Sequence, residues 1–257
     1  MTSYQYYSTI VKAASRLTPN MVRVIVEGDD LAGFQSSGMP DEFVYLLFPP
    51  AGAKTAVLPQ QSDAESGLWY YPEGVTEPAG RYYTIRRWDA VRCELLIDFA
   101  IHEGGIGAAW AMRAKAGDPL GVRRPTARFN IPADCDWICL LADFTGLPAV
   151  GRIVEEMPAG RAIVSHIEIP SGADRQLFER PCDVAVHWYE TFCRDGCATR
   201  LHEIARSVVL PDGPGYVWIA GEATAVSESR KYFRDVLGFD KDRITSVGYW
   251  IEGQVRG

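Results

Sequence analysis

The sequence of 257 residues has few of the features that assign a chain to a class at once. It has no run of lysines and arginines, and 33 acidic against 26 basic residues give a net charge of −7, so we expect neither a nucleic-acid nor a membrane-surface partner. No stretch approaches the roughly eighteen apolar residues that span a bilayer, and the first residues lack the basic-then-apolar pattern of a signal peptide. These absences predict a cytoplasmic location.

Metal-binding spacing is also missing. None of the six cysteines forms a C-x-x-C pair, and three residues separate both Cys135 from Cys139 and Cys193 from Cys197. We therefore expect no iron–sulfur or zinc site, and we expect reduced cysteines that pack as small apolar side chains. The G-x-G-x-x-G fingerprint of a standard dinucleotide-binding turn is absent as well.

The first half of the chain alternates polar and apolar residues, which predicts antiparallel strands with one buried face. The apolar positions are Val22, Val24 and Val26, then Cys93, Leu95, Ile97, Phe99 and Ile101. Between Pro49 and Gly80 the sequence is rich in turn-forming residues, and we interpret it as an excursion between two strands. The pattern predicts an N-terminal β-barrel domain over residues 1–131.

From about Asp136 short apolar strands alternate with helices, which is typical of a parallel sheet. The predicted strands are Trp137–Ala142, Arg161–Ile167, Asp183–Trp188, Gly215–Ala220 and Ile244–Trp250. The predicted helices are Leu147–Pro158, Leu201–Val209 and Ala225–Leu237, the last one capped by Gly238. This change predicts a domain boundary between Phe129 and Asp134 and an α/β domain over residues 132–257.

The segment Arg81-Tyr-Tyr-Thr84-Ile-Arg86 can serve a flavin in three ways. An arginine can neutralise the pyrophosphate, a tyrosine ring can cover the isoalloxazine, and a hydroxyl can hydrogen-bond its redox-active nitrogen. The alternative is an exposed aromatic strand with solvated arginines. A second segment, from Glu103 to Trp110, is a glycine-rich turn that opens a helix continuing over Ala111–Ala116. It predicts backbone N–H groups that bind a pyrophosphate, although it is also an ordinary strand–turn–helix connection.

Two polar turns follow strands in the second domain. Asp143-Phe-Thr-Gly-Leu-Pro-Ala149 follows the strand Trp137–Ala142, and Trp218-Ile-Ala-Gly-Glu222 repeats the arrangement. Open α/β sheets bind nucleotides at the carboxyl edge of their strands, so we expect both turns to face one nucleotide site. A well-made helix start, capped by Thr145, is the alternative.

The choice between NADH and NADPH stays open. Glu168 follows the predicted strand Arg161–Ile167, where an acidic side chain can bind a ribose 2′-hydroxyl. Arg175 nearby can receive a 2′-phosphate instead.

These segments together resemble the siderophore-interacting protein family, FAD-containing relatives of ferredoxin–NADP reductases that reduce ferric siderophores with NAD(P)H. The resemblance covers nearly the whole chain and adds Arg230 and Gly248-Tyr-Trp250 to the segments above. It implies a ferredoxin reductase-like fold, with a six-stranded antiparallel FAD-binding barrel followed by a parallel-sheet NAD(P)H-binding domain.

The resemblance also implies roles for individual residues. Tyr83 and Thr84 would act at the flavin's reactive ring. FAD would be bound by Arg81, Tyr83, Thr84, His102, Gly107, Ala108, Ala109 and Trp110. The nicotinamide cofactor would be approached by Asp143, Thr145, Leu147, Pro148, Gly221 and Glu222. Trp250 would lie near the flavin, with ordinary core packing as the alternative.

Basic residues of the family pattern are missing at three places. The family's His-Val-Lys-Leu is Phe43-Val-Tyr45-Leu46 here, its Gly-Pro-Arg-Gly is Arg124-Pro-Thr126-Ala127, and its Gly-Tyr-Trp-Arg ends in Ile251. Their loss weakens the attraction of an anionic iron chelate. The candidates for a substitute positive rim are Arg86, Arg123, Arg124, Arg128 and Lys54.

Three functions remain open at this stage. The first is an FAD-dependent NAD(P)H oxidoreductase that reduces Fe(III) in a siderophore or related chelate. The second keeps FAD and NADPH or NADH but passes electrons to a small organic metabolite or a protein, which the missing basic residues favour. The third is a non-catalytic flavin-binding or siderophore-binding module, which the intact Arg81-x-Tyr83-Thr84 opposes.

Overall fold

The structure is a computed structural model that describes residues 5–62, 68–179, 184–191 and 199–254. Asp183, the first residue of a predicted strand, and three of the cysteines, Cys182, Cys193 and Cys197, lie outside these residues. The chain divides into two compact units on either side of Ala127 and Arg128, except that Thr18–Asn20 belongs to the second unit. Within the described ranges no helix is long and apolar enough to cross a bilayer.

The first unit is built on one curled antiparallel sheet. Its elements in chain order are β1 (Tyr6–Thr18), β2 (Met21–Glu27), β3 (Phe43–Phe48), β4 (Gln60–Gln61), β5 (Trp69–Tyr70), β6 (Ala79–Thr84), β7 (Arg87–Asp89), β8 (Glu94–Ala100), α1 (Ile106–Arg113) and β9 (Pro119–Arg123). The sheet has the strand order β6-β3-β9-β1-β2-β8-β7, while β4 and β5 pair only with each other.

The chain itself joins the two edges of this sheet. β6 and β7 lie at opposite ends of the strand order, yet only Ile85 and Arg86 separate them in sequence. The backbone N–H of Ile85 donates to the carbonyl of Glu42, and that of Arg86 donates to the carbonyl of Leu96, both with an N···O distance of 2.9 Å. Counted as one bent strand, β6 and β7 complete the predicted six-stranded barrel.

The alternation predicted for the first half is confirmed. Val24 and Val26 in β2 and Leu95, Ile97 and Phe99 in β8 are fully buried in one core. Burying each such side chain contributes about 1.5–3 kcal/mol to folding. The excursion after Pro49 does connect two paired strands, since β3 pairs with β6.

The cysteines match the expectation of small buried side chains only in part. Cys135 and Cys139 are buried free thiols. Cys93 is half-buried, because it occupies the turn before β8 with φ of 52° instead of a place in the strand.

The second unit is a five-stranded parallel sheet with helices. It contains β10 (Trp137–Ala142), α2 (Leu147–Glu156), β11 (Ala162–Ile169), β12 (Val184–Glu190), α3 (Leu201–Ser207), β13 (Gly215–Glu222), α4 (Ala223–Lys231) and β14 (Ile244–Trp250). The strand order is β12-β11-β10-β13-β14. Every residue of β10 and β13 is buried, as expected for strands covered on both faces.

Several element ends differ from the sequence prediction, and two of them bear on the site. β11 continues through Glu168 to Ile169, because both residues pair with β12. The α-helical part of the last predicted helix ends at Lys231, and a π-helical turn follows over Tyr232–Val236. Gly238 has φ of 73°, which confirms it as the residue that stops this segment.

His166 is a buried titratable residue of β11. Its Nδ1 lies 2.8 Å from the hydroxyl of Tyr189, and its ring stacks on His187 with centroids 4.7 Å apart. Burial, together with the charge of His187, lowers the pKa of His166 to about 4. The neutral ring is therefore the form that the folded protein accommodates.

This pKa predicts acid sensitivity. The folded pKa lies below the unfolded value of about 6.5, so as pH falls from about 6.5 to about 4 the unfolded chain takes up a proton that the folded chain rejects. The free energy of unfolding should therefore fall by up to about 3 kcal/mol over this pH range, and we expect His166→Gln to abolish that fall. Urea titrations over the same pH range measure it. The exposed His102→Gln is the control, and identical pH slopes for His166→Gln and the unmodified protein would contradict the prediction.

Candidate functional site

β6 ends in the tyrosine and threonine that the sequence assigns to the flavin. The half-buried ring of Tyr83 lies 4.3 Å from that of Phe99, between centroids, and its hydroxyl lies against Gly107 in the first turn of α1. A Cβ on Gly107 would stand 2.0 Å from this hydroxyl oxygen, so only glycine permits the approach. Burial raises the pKa of Tyr83 to about 12, which keeps the ring neutral at physiological pH.

Thr84 carries the clearest sign of a missing partner. The residue is 6% exposed, and its buried Oγ1 has no hydrogen-bond partner among the described residues. A buried polar group without a partner costs about 1–3 kcal/mol. The acceptor and donor nitrogens of a flavin would remove that cost, so Thr84 fits the cofactor that the sequence predicts.

The glycine-rich turn opens α1 as an anion site requires. Gly104 has φ of 74°, Gly105 is the N-cap, and over the described part of the chain no side chain caps the helix. The first intrahelical bond runs from the N–H of Ala109 to the carbonyl of Gly105. The N–H groups before it point along the helix axis toward any bound phosphate. The helix ends at Arg113, short of the predicted Ala116.

The remaining candidates of the first unit have different surroundings. Arg81 is half-buried and donates from Nη1 to the carbonyl of Gly80 over 2.6 Å. His102 is exposed, with Nδ1 3.1 Å from the carbonyl of Glu103. Ala108 is buried and Ala109 exposed. Trp110 is buried against Phe48 and Phe99, so its ring is part of the core that supports α1.

Arg81 tests this assignment. We expect Arg81→Ala to weaken FAD affinity at least tenfold with an unchanged circular dichroism spectrum, because a charge-assisted phosphate contact contributes about 1.5–3 kcal/mol. FAD occupancy after dialysis measures the effect. Arg92→Ala, an exposed arginine paired with Asp89, is the matched control. Full occupancy in Arg81→Ala would show that this strand does not bind the pyrophosphate.

The second unit is organised around the carboxylate of Asp143, which directly follows β10. Its Oδ1 accepts hydrogen bonds from the N–H and the hydroxyl of Thr145, at 2.8 and 2.6 Å. Its Oδ2 accepts from the N–H of Glu222 at 2.7 Å and from the indole Nε1–H of Trp250 at 2.8 Å. Burial raises the pKa of Asp143, and these hydrogen bonds oppose the rise. One carboxylate therefore joins three segments.

Small residues let the two turns approach each other. Ala142 pairs with Ala220, which confirms that both turns lie at one edge of the sheet. A Cβ on Gly146 would stand 2.9 Å from that of Ala142, and one on Gly221, at φ of 152°, would stand 2.5 Å from the Asp143 carboxylate. The result is a surface of closely spaced backbone, which suits a nucleotide.

The helix starts differ from the prediction in one respect. Thr145 does not cap α2; its hydroxyl donates to Asp143, and the Asp143 side chain caps the short 3₁₀ turn that precedes the helix. Asp143 occupies the N-cap position of this turn, so its carboxylate accepts a hydrogen bond from the N–H of Thr145. Leu147 and Pro148 are buried in the first turn of α2. Glu222 caps α4 through Oε2, which accepts from the N–H of Ala225 over 2.8 Å.

Glu168 is not available for a ribose. It is buried inside β11, where its carboxylate accepts hydrogen bonds from the hydroxyls of Thr191 and Thr199 and from the N–H of Arg200. These donors join the end of β12 to the start of α3, which is a structural role. Arg175 is exposed and paired with Glu190 at 3.2 Å. The sequence argument for NADH therefore loses its basis.

The importance of Asp143 can be measured directly. Asp143→Asn replaces one acceptor oxygen by an N–H₂ group that faces the donors of Thr145, Glu222 and Trp250. At least one buried donor then lacks an acceptor, and we expect the free energy of unfolding to fall by about 1–3 kcal/mol. NAD(P)H affinity should fall with it, and the Trp250 indole N–H signal should shift in the NMR spectrum. Asp212→Asn, at an exposed turn, is the control. Unchanged stability would contradict the role of this carboxylate.

The candidate cations for an acceptor fall in different places. Arg123 and Arg124 line a cavity of the first unit, together with Phe43, Tyr45, Tyr82 and Thr126. Arg86 is buried, with Nε 3.9 Å from the carboxylate of Asp98, so it is not part of an exposed rim. Lys54 is exposed and does not line the cavity. Of the aromatic residues of this cavity, Tyr45 stands out in the sequence only as the loss of a basic residue, although the aromatic residues at Phe43, Tyr45 and Tyr82 are themselves a usable signal.

A curled antiparallel barrel followed by a parallel α/β unit is the ferredoxin reductase-like fold. The ferredoxin NADP⁺ reductase of Neisseria gonorrhoeae, solved with FAD and NADP, shares this fold at 12% identity, with a TM-score of 0.63 over 95% of this chain and 99% of that one. Residues 10–129 match the siderophore-interacting FAD-binding domain, and residues 135–253 match the siderophore-interacting protein model.

The chain therefore belongs to the siderophore-interacting protein family. A siderophore utilization protein from T. fusca is 31% identical, with a TM-score of 0.83, and the match covers 99% of this chain and 96% of that one. The NADPH-dependent ferric-chelate reductase of Escherichia coli is 28% identical over 246 residues, which is 93% of this chain and 91% of the relative.

Proposed function

We propose that this protein is an FAD-dependent oxidoreductase that oxidises NAD(P)H and reduces Fe(III) held in a siderophore or a related chelate. The observation that carries the proposal is the unsatisfied, buried hydroxyl of Thr84 next to Tyr83, at the end of a strand within the matched FAD-binding domain. Family membership and a relative named a ferric-chelate reductase support it.

The chain's own residues bind and orient in this scheme. When bound, FAD supplies the redox chemistry, because it accepts hydride and releases single electrons. Arg81 and the N–H groups at the start of α1 would hold its pyrophosphate, Tyr83 would cover the ring, and Thr84 would hydrogen-bond the ring nitrogen. One NAD(P)H supplies two electrons, which reduce two Fe(III) to Fe(II) and leave NAD(P)⁺ and a proton.

The nicotinamide cofactor would bind at the two turns of the second unit. Gly146 and Gly221 have no side chain, which leaves the backbone of the two turns accessible. The Asp143 carboxylate holds the Thr145 and Glu222 turns at a fixed separation. The Asp143 carboxylate is saturated by donors, so its role is to position these turns and Trp250. NADPH and NADH both remain candidates, and neither Glu168 nor Arg175 is free of protein partners.

A different acceptor is the second candidate function. Tyr45, Thr126 and Ile251 stand where the family pattern has basic residues, which favours an acceptor with less negative charge than most iron chelates, such as an organic metabolite or a protein. Arg123 and Arg124 beside the first two positions retain positive charge, and on that ground we put the ferric chelate first.

Anaerobic kinetics test the proposal. NADPH or NADH should bleach the visible absorbance of the FAD-loaded protein, and a ferric chelate should restore it while two Fe(II) per nicotinamide are trapped by a coloured chelator. Thr84→Val keeps the shape but removes the hydroxyl, and we expect flavin reduction to slow about tenfold, the equivalent of one hydrogen bond of about 1.4 kcal/mol.

Controls separate the candidate functions. Thr76→Val, at an exposed threonine of the same unit, should reduce at the normal rate. Reoxidation by a neutral quinone but by no ferric chelate would replace the first function with the second. A protein that binds FAD but is not reduced by either nicotinamide would be a binding module.

A further inference from the structure

Two histidines that are far apart in sequence meet on one face of the second unit's sheet. His166 in β11 pairs directly with His187 in β12, and β12 is the outermost strand of the sheet as the structure describes it. Neighbouring strands lie about 4.7–4.9 Å apart, and residues in register point to the same face. The two rings are accordingly stacked, 14° from parallel, with centroids 4.7 Å apart. Strand pairing thus places two imidazoles side by side.

A hydrogen-bonded chain orients the His166 ring. Its Nδ1 lies 2.8 Å from the Tyr189 hydroxyl, which is also hydrogen-bonded to Ser207 of α3. The Ser207 hydroxyl donates to the carbonyl of Ile204 over 2.8 Å, so its oxygen can accept from the Tyr189 hydroxyl. The Tyr189 oxygen can then accept from an Nδ1–H of His166. This order of donors assigns the proton of the ring to Nδ1 and a lone pair to Nε2.

The other nitrogen of this ring lacks a protein partner. The Nε2 atom of His166 is buried, and no described residue hydrogen-bonds to it. The residue is only 5% exposed, and burial disfavours the charged imidazolium. A neutral imidazole with a lone pair on one nitrogen is the form of histidine that binds a metal ion. A hydrogen bond that orients the ring through its second nitrogen is the usual support of such a ligand.

His187 can supply a second ligand to the same ion. It is exposed, so its ring can rotate without loss of core packing. Two metal–imidazole bonds of about 2.0–2.1 Å can join nitrogens up to roughly 4.2 Å apart, and the ring separation of 4.7 Å exceeds this span by only about half an ångström. Within the described ranges no group of three or more His, Cys, Asp and Glu could hold a metal, so water would fill the remaining positions.

We propose that His166 and His187 form a two-histidine site for a divalent cation that prefers imidazole ligands, namely Cu²⁺, Ni²⁺ or Zn²⁺. Imidazole suits these ions, whereas Mg²⁺ and Ca²⁺ prefer oxygen ligands, so the site separates the two classes. Two protein ligands, where structural zinc sites have four, make the bound ion exchangeable. The spacing of the cysteines does not bear on this site, and the site does not depend on the flavin or on the proposed function.

Metal titrations of the full chain, produced without a histidine tag, test the proposal. We expect calorimetry to show binding of Zn²⁺ and Ni²⁺ but not of Mg²⁺, and we expect Cu²⁺ to bind most tightly in competition with a chelator. His187→Gln should weaken Zn²⁺ affinity at least about tenfold, and Tyr189→Phe, which removes the orienting hydroxyl, should weaken it roughly tenfold. His102→Gln and His202→Gln change the other two histidines of the chain and should bind Zn²⁺ normally.

Spectroscopy identifies the ligands directly. Pulsed EPR of the Cu²⁺-loaded protein should detect two imidazole nitrogens, one in His187→Gln and none in the double variant His166→Gln with His187→Gln. Zn²⁺ should also shift the NMR signals of both rings in the unmodified protein, a result that does not depend on how a variant folds. Circular dichroism checks the fold of each variant.

Three results would overturn the inference. The first is an unmodified protein that binds none of the three ions. The second is a double variant with unchanged Zn²⁺ affinity, which would place the ion on cysteines or carboxylates instead. The third is a Zn²⁺-loaded protein in which the ring signals of His166 do not move.

Discussion

The second unit depends on the burial of a single carboxylate. Moving an ionised side chain out of water costs several kcal/mol unless hydrogen bonds replace its hydration. Asp143 receives four such bonds, from Thr145 in its own turn, from Glu222 at the end of β13 and from Trp250 at the end of β14. The cost of burial is met only when these three segments come together. The carboxyl edge of the sheet therefore forms as a unit, and with it the surface that suits a nucleotide.

The first unit shows the opposite condition at its candidate site. Its core is apolar and well packed, and the chain closes the barrel through Ile85 and Arg86. At the end of β6, however, the Thr84 hydroxyl is buried without a partner among the described residues. A bound ligand is one of the partners that can satisfy such a group. The Asp143 carboxylate is thus fully hydrogen-bonded, whereas the Thr84 hydroxyl has no partner among the described residues.

The cavity of the first unit combines aromatic rings with two arginines. The overall charge of −7 would repel an anionic acceptor at long range, so local attraction must come from cations close to the site. Arg123 and Arg124 are the cations that line this cavity, and Tyr45 and Thr126 stand where the family pattern has basic residues. Electrostatic attraction is long-range and depends little on the shape of a ligand, whereas contacts between aromatic rings require close approach.

The sequence by itself determined the fold class, because strand and helix periodicities are local and survive in any arrangement. It also located the Thr84 strand and the Asp143 turn, since motif residues lie close together along the chain. Only the tertiary structure decided which partners each side chain meets. Glu168 was one of two open candidates for the ribose and is hydrogen-bonded to residues more than twenty positions away, and Arg86, a candidate for a positive rim, is buried beside Asp98. The aromatic cavity, too, joins three strands that are separate in sequence, and long-range contacts of this kind leave no local pattern.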